Sequence, residues 1–177
     1  YDELSKIAPT VLVSLPTSDY MRTLSQNLGL FASIFPEKQS YLETIEAQLY
    51  DEIAEIREQV QEAKYNALFL MVNAGSLSVF GGGSRFSIMY DDFGFATTDT
   101  TIQTSTHGQS SSYEYLLNQD PDYLFVLDRS LATGADTNGQ GAQSLLDNTL
   151  VRRMKAHQQN RIYYVDAVSW YVASGGI

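Results

Sequence analysis

The segment Thr106–Arg129, T-H-G-Q-S-S-S-Y-E-Y-L-L-N-Q-D-P-D-Y-L-F-V-L-D-R, decides the fold. A polar, glycine-containing stretch leads into a predicted helix over Ser110 to Asn118. Ser111 or Ser112 stands near its cap, where a hydroxyl can accept from the first-turn N–H groups. Tyr123 to Leu127 is then a continuous apolar run, as expected of a strand buried on both faces. A helix feeding such a strand is the repeating unit of an α/β layer domain.

The flanking sequence repeats the pattern. Upstream, Ala67 to Val72 (A-L-F-L-M-V) reads as a buried strand and Ser76 to Phe80 as a second. Gly81-Gly82-Gly83 turns the chain, Ser84 caps a helix over Arg85 to Phe93, and Gly94 ends it. Downstream, Ala135 to Gly141 is a polar, Gly-rich surface loop. Ala142 to His157 is helical in two pieces. Arg161 to Val165 is a fourth strand, and Asp166 caps a last turn over Ala167 to Ala173. Strands alternating with helices predict an α/β fold with a layered sheet.

The first third differs. Ile7 to Leu15 reads as a short strand, and Asp19 to Phe35 carries apolar residues at a helical period. Pro36 interrupts it, and a long helix follows from about Glu37 to Lys64. Its apolar positions Leu42, Ile45, Leu49, Ile53, Ile56, Val60 and Ala63 alternate steps of three and four. That stripe suits an amphipathic helix packed on its own domain, with a coiled-coil interaction module as the competing reading.

The chain has 177 residues, 44% of them hydrophobic, and a formal charge of -10. Its length allows one sizeable core or two small ones. No run of about 18 apolar residues exists. The start, Tyr1-Asp2-Glu3, has no signal-like n-region, and without an initiator Met a mature protein or a fragment is expected. Cysteine is absent, which removes disulfides and thiolate chemistry and accords with the periplasm or an outer cell surface. The acidity argues against nucleic acid, which needs a basic footprint. Neither G-x-S-x-G nor H-E-x-x-H occurs. Gly81-Gly82-Gly83 lacks the Lys-Ser/Thr of a phosphate loop, Asp91-Asp92 is read as a solvated helix face, and His157 as a charge near a helix C-terminus.

The order of elements, together with G-x-x-S-R-F at Arg85, T-H-G-x-S at His107, P-D-Y-x-F-V-x-D-R ending at Arg129 and W-Y-x-A-S-G at Trp170-Tyr171, resembles the class III periplasmic siderophore-binding proteins of ABC importers, of the catecholate and petrobactin type. The resemblance implies residues 1–17 as the last strand of an otherwise absent N-terminal lobe, 18–65 as a connector with the long inter-lobe helix, and 66–177 as the C-terminal α/β ligand-binding lobe. The rest of the first lobe, and a helix expected after Gly175, lie outside this sequence. It further implies a non-enzymatic, monomeric solute-binding protein, periplasmic or lipid-anchored at the cell surface.

Ferric iron prefers six hard ligands, so a tetradentate bis-catecholate leaves two positions. By the resemblance, the Tyr171 phenolate and the His107 imidazole fill them. The competing readings are one more aromatic among 12 Tyr and a hydrogen-bonded loop histidine. Arg85 and Arg129 would hold the anionic oxygens as planar, always-charged donors, against a surface salt bridge as the alternative for each. Trp170 would pack beside the site. Glu114 would dock against the permease, with a solvated helix-face Glu as the other reading. The cargo would be Fe(III) as a siderophore complex, and the chain would carry no organic cofactor of its own. Two further readings stand beside this one: haem or cobalamin held by Tyr or His as an axial ligand, and an α/β hydrolase with a serine near His107.

Overall fold

The computed structural model describes residues 1–13, 19–103, 107–135 and 141–172. A short helix α1 (Asp2–Ser5) precedes α2 (Tyr20–Ile34), a 3-10 turn at Pro36–Lys38, and the long helix α3 (Gln39–Ala63). Pro36 stands in the first 3-10 position, where its missing N–H costs nothing. The lobe that follows contains β1 (Asn66–Asn73), β2 (Ser76–Phe80), α4 (Ile88–Asp91), β3 (Ala96–Thr97), β4 (Gln109–Ser111), α5 (Tyr113–Gln119), β5 (Tyr123–Asp128), α6 (Arg129–Thr133), α7 (Ala142–Leu146), α8 (Lys155–Gln158) and β6 (Ile162–Tyr164). It closes on a π-helical turn, Val168–Val172.

One mixed sheet runs β4-β2-β1-β5-β6, with β3 pairing the start of β1 beyond the end of β2. β1, β5 and β6 are parallel, while β2 is antiparallel to β1 and β4 antiparallel to β2. The apolar run of β1 is explained by its two faces. Leu68, Leu70 and Val72 point one way, with Leu77, Val79, Leu124 and Val126, beneath Leu116, Leu146, Val151 and Met154. Ala67, Phe69 and Met71 point the other way, against Val60, Phe80, Phe86, Met89 and Phe95. Helices therefore cover both faces of the sheet. A separate cluster joins α2 to α3 through Met21, Leu24 and Leu28, with Leu42, Leu49 and Ile53 packed against them.

Four local expectations are corrected. Residues 7–13 form no strand, and Ile7 and Leu12 are 83% and 73% exposed. A strand needs a partner edge, and the described part of this chain presents none to them; Ser14 and Leu15 lie outside the described residues. The helix expected from Arg85 starts only at Ile88, after turns closed by Ser87 N–H to Ser84 O and Met89 N–H to Phe86 O. Ser110 and Ser111 belong to edge strand β4, and the cap of α5 is Ser112, whose Oγ accepts from Tyr115 N at 3.2 Å. The Ala142–His157 region breaks into three. Asn148 Oδ1 accepts from Leu150 N and Val151 N, opening a 3-10 turn at Val151–Arg153, and Asp120 Oδ1 accepts from Lys155 N at 2.7 Å where α8 begins.

Candidate functional site

Parallel strand β5 ends at Asp128, a buried carboxylate that organises the turn after it. Its Oδ1 accepts from Ser130 N at 3.0 Å and Leu131 N at 3.3 Å, capping α6, and its Oδ2 accepts from Ala142 N at 2.7 Å, fixing the start of α7. Arg129 is thereby the first residue of α6, at the carboxyl end of a parallel strand, where open α/β sheets place ligands. Its Nε donates to Tyr171 Oη at 2.6 Å and its Nη1 to Asn73 Oδ1 at 3.0 Å.

Arg85 approaches the same phenol from the segment between the glycine turn and α4. Its Nη2 donates to the Tyr171 carbonyl at 2.9 Å. Its guanidinium carbon lies 4.7 Å from the Tyr171 ring centre and 5.0 Å from that of Phe86. The guanidinium carbon of Arg129 lies 5.3 Å from the Tyr171 ring centre. Two half-buried cations thus share one aromatic ring, whose quadrupole attracts both. Among the described residues neither arginine pairs with a carboxylate, so the surface salt bridge weighed for each is not formed there.

Tyr171 stands on the π-helical turn, a feature frequent at functional sites. Asp166 Oδ1 accepts from Ser169 N at 2.7 Å, and Trp170 N–H bonds the Asp166 carbonyl. The hydrogen bonds from Ser169 hold the Asp166 carboxyl below its ordinary range. Trp170 stacks on Phe69, with ring centres 5.8 Å apart. The segment carrying Arg85 is held from below by Tyr90, whose hydroxyl donates to Phe80 O at 2.8 Å and accepts from Phe69 N. Burial pushes that phenol up to about 12.

The structure therefore brings together Arg85, Arg129, Trp170 and Tyr171. His107 is exposed on the turn that precedes edge strand β4. Gly108 beside it has φ +75°, and a Cβ there would meet the Phe80 ring at 2.7 Å. Only glycine lets this turn close onto β2. Glu114 is exposed in the first turn of α5. No group of three or more His, Cys, Asp or Glu converges among the described residues. Sequence reasoning missed Asn73. Its only signal was an amide at the end of a buried strand, which reads equally as a turn former.

The chain is thus an α/β lobe preceded by a long helix, with helices on both faces of its sheet and with Arg85, Arg129 and Tyr171 in contact beyond the carboxyl end of parallel strand β5. A family profile described as periplasmic binding protein matches residues 1–168, and the chain belongs to that family. The petrobactin-binding protein YclQ of Bacillus subtilis is 35% identical over 177 residues, covering 100% of this chain and 55% of that protein. Its crystal structure superposes with a TM-score of 0.91 over 99% of this chain and 60% of that one. The ferric-anguibactin-binding protein FatB of Vibrio anguillarum is 31% identical over 181 residues, again covering 100% of this chain and 55% of that protein. The catecholate-siderophore binding protein VctP of Vibrio cholerae, 32% identical, superposes with a TM-score of 0.89 over 98% of this chain and 61% of that one. The chain thus spans about half the length of the curated relatives it matches.

Proposed function

We propose that this chain forms the C-terminal lobe and inter-lobe helix of a solute-binding protein that captures a ferric catecholate-type siderophore and delivers it to the permease of an ABC importer. The observation that carries this reading is the bracket of Arg85 and Arg129 around Tyr171. A ferric catecholate is an anion, and a chain of net charge -10 repels it at long range. Two guanidiniums with no carboxylate partner among the described residues reverse the sign locally, and their donors suit catecholate oxygens. The phenol between them is a hard oxygen donor once iron displaces its proton. The printed names of the relatives, which bind petrobactin, ferric anguibactin and catecholate siderophores, support the same ligand class.

In this reading Tyr171 and His107 complete the iron shell. His107 reaches the ligand from the β4 side of the lobe, so the two protein donors approach from different edges. Trp170 packs beside the cargo, and exposed Glu114 faces the permease. Residues 1–17 belong with an N-terminal lobe, 18–65 form the connector and 66–177 the binding lobe. The protein works as a monomer in the periplasm or tethered by lipid at the cell surface.

Trp170, the single tryptophan, reports the test. Titration with a ferric bis-catecholate is expected to quench it saturably. Arg85→Ala and Arg129→Ala each weaken binding roughly tenfold or more, the loss of a hydrogen bond to a charged group. Saturation with haem and none with the catecholate would transfer the site to another ligand class.

A further inference from the structure

The β1–β2 hairpin turns through Ala74 and Gly75, with φ +47° and +83°, between register partners Asn73 and Ser76. Two central residues at positive φ make the tight hairpin turn whose twist matches its strands. Glycine suits such a position, but alanine there is uncommon, and a residue so held is over-determined by its surroundings. The surroundings are the start of α6. Ala74 N–H donates to Ser130 Oγ at 3.4 Å, and Asn73 Oδ1 accepts from Arg129 Nη1 at 3.0 Å. Both contacts continue the parallel register of β1 and β5, in which Val72 lies opposite Asp128. The hairpin tip is thus tied at two adjacent points to the helix that begins with Arg129.

We propose that Asn73 is a positioning residue of the ligand site: its amide carbonyl orients the Arg129 guanidinium so that Nε meets Tyr171 while Nη2 stays directed at an anionic ligand. Nη2 of Arg129 makes no hydrogen bond among the described residues, so both of its N–H donors are left for a ligand, beside the second N–H of Nη1. An amide is the suitable partner because it orients the cation without neutralising it. A carboxylate in its place would hold the guanidinium more firmly and cancel its charge. This inference rests on the anion-binding reading of Arg129.

The test uses the Arg129 Nε–H resonance of the 15N-labelled chain, assigned by its loss in Arg129→Lys, together with titration of a ferric bis-catecholate. Near-UV circular dichroism checks the fold of each variant. In Asn73→Ala the Nε–H exchanges at least tenfold faster and the catecholate binds about tenfold more weakly. In Asn73→Asp the Nε–H stays protected while affinity still falls tenfold or more. A folded Asn73→Ala with unchanged exchange overturns the proposal. If that variant does not fold, loss of protection in a folded Asn73→Asp overturns it instead. Catecholate binding by both variants that equals wild type overturns it as well. Exchange behaviour as expected, in a wild-type chain that binds no catecholate, removes the siderophore reading and leaves the positioning role standing.

Discussion

Tyr90 shows how one side chain holds the site from beneath. Its hydroxyl bridges Phe80 O and Phe69 N across the β1–β2 pair, and α4, which carries it, follows the turns that present Arg85. The folded protein keeps this phenol protonated, with its pKa raised by burial from 10.0 to about 12. The sign follows from linkage: a raised folded-state pKa stabilises the fold in full below the unfolded value and loses that contribution as pH rises through the folded value. Two pH units correspond to about 3 kcal/mol. Stability measured by denaturant midpoint should therefore fall between pH 10 and 12, and Tyr90→Phe should flatten part of that fall. An equal slope in both proteins would show that Tyr90 carries none of it. Legibility at this scale divides by motif. Arg85, Arg129 and Tyr171 were readable through the motifs G-x-x-S-R-F, P-D-Y-x-F-V-x-D-R and W-Y-x-A-S-G, by resemblance; residue type alone does not separate Tyr171 from Tyr163 or Tyr164. Asn73 was not, because its role depends on the register that sets β1 beside β5, which no local pattern in the sequence states.

At the scale of elements, the joint between α3 and the lobe rests on Arg57. Its Nε donates to Asp92 O at 2.7 Å and its Nη2 to Asp91 O, the carbonyls at the end of α4. A cation at a helix C-terminus meets the negative end of the dipole. Gly94, at φ +79°, lets the chain leave α4 under the Arg57 stem, where a Cβ would stand 3.1 Å from Cγ. Arg57→Met keeps the stem and removes both bonds, so it should cost about 2 kcal/mol in chemical denaturation. A loss under about 0.5 kcal/mol, the size of an ordinary surface change, would mean that the helix is fixed to the lobe by packing alone. The long helix was legible because its 3.6 period persists over many residues, and strands β1 and β5 because each is a continuous apolar run of strand length. The short elements were not. The serines before Tyr113 carry a helix-cap signal, yet Ser110 and Ser111 pair with β2 because an open sheet edge captured them. The Ala142–His157 helix broke where Asn148 and Asp120 supply new caps, the second from a residue distant in sequence.

Over the whole molecule, the sheet has both faces covered, and the cluster of Arg85, Arg129 and Tyr171 sits at one end of it. The described lobe supplies two arginines and a tyrosine in one contact network, with His107 on the turn before edge strand β4. The chain spans 55% of YclQ and of FatB. A cargo held between Tyr171 and His107 would lie across the end of the lobe, facing whatever the remaining length of such relatives provides. The helix pair α2–α3 leaves Phe31, Ile34, Phe35 and Ile56 between 37% and 50% exposed, so its packing within this chain is partial. In the proposed reading Tyr171 coordinates ferric iron while Arg85 and Arg129 balance the negative charge of its chelator. The most direct test is the visible absorption of a ferric bis-catecholate bound to the chain and to its Tyr171→Phe variant. A charge-transfer band shifted from that of the free complex is expected in the wild type, with both a smaller shift and weaker binding in the variant. Identical bound spectra and equal affinities in the two proteins would contradict it.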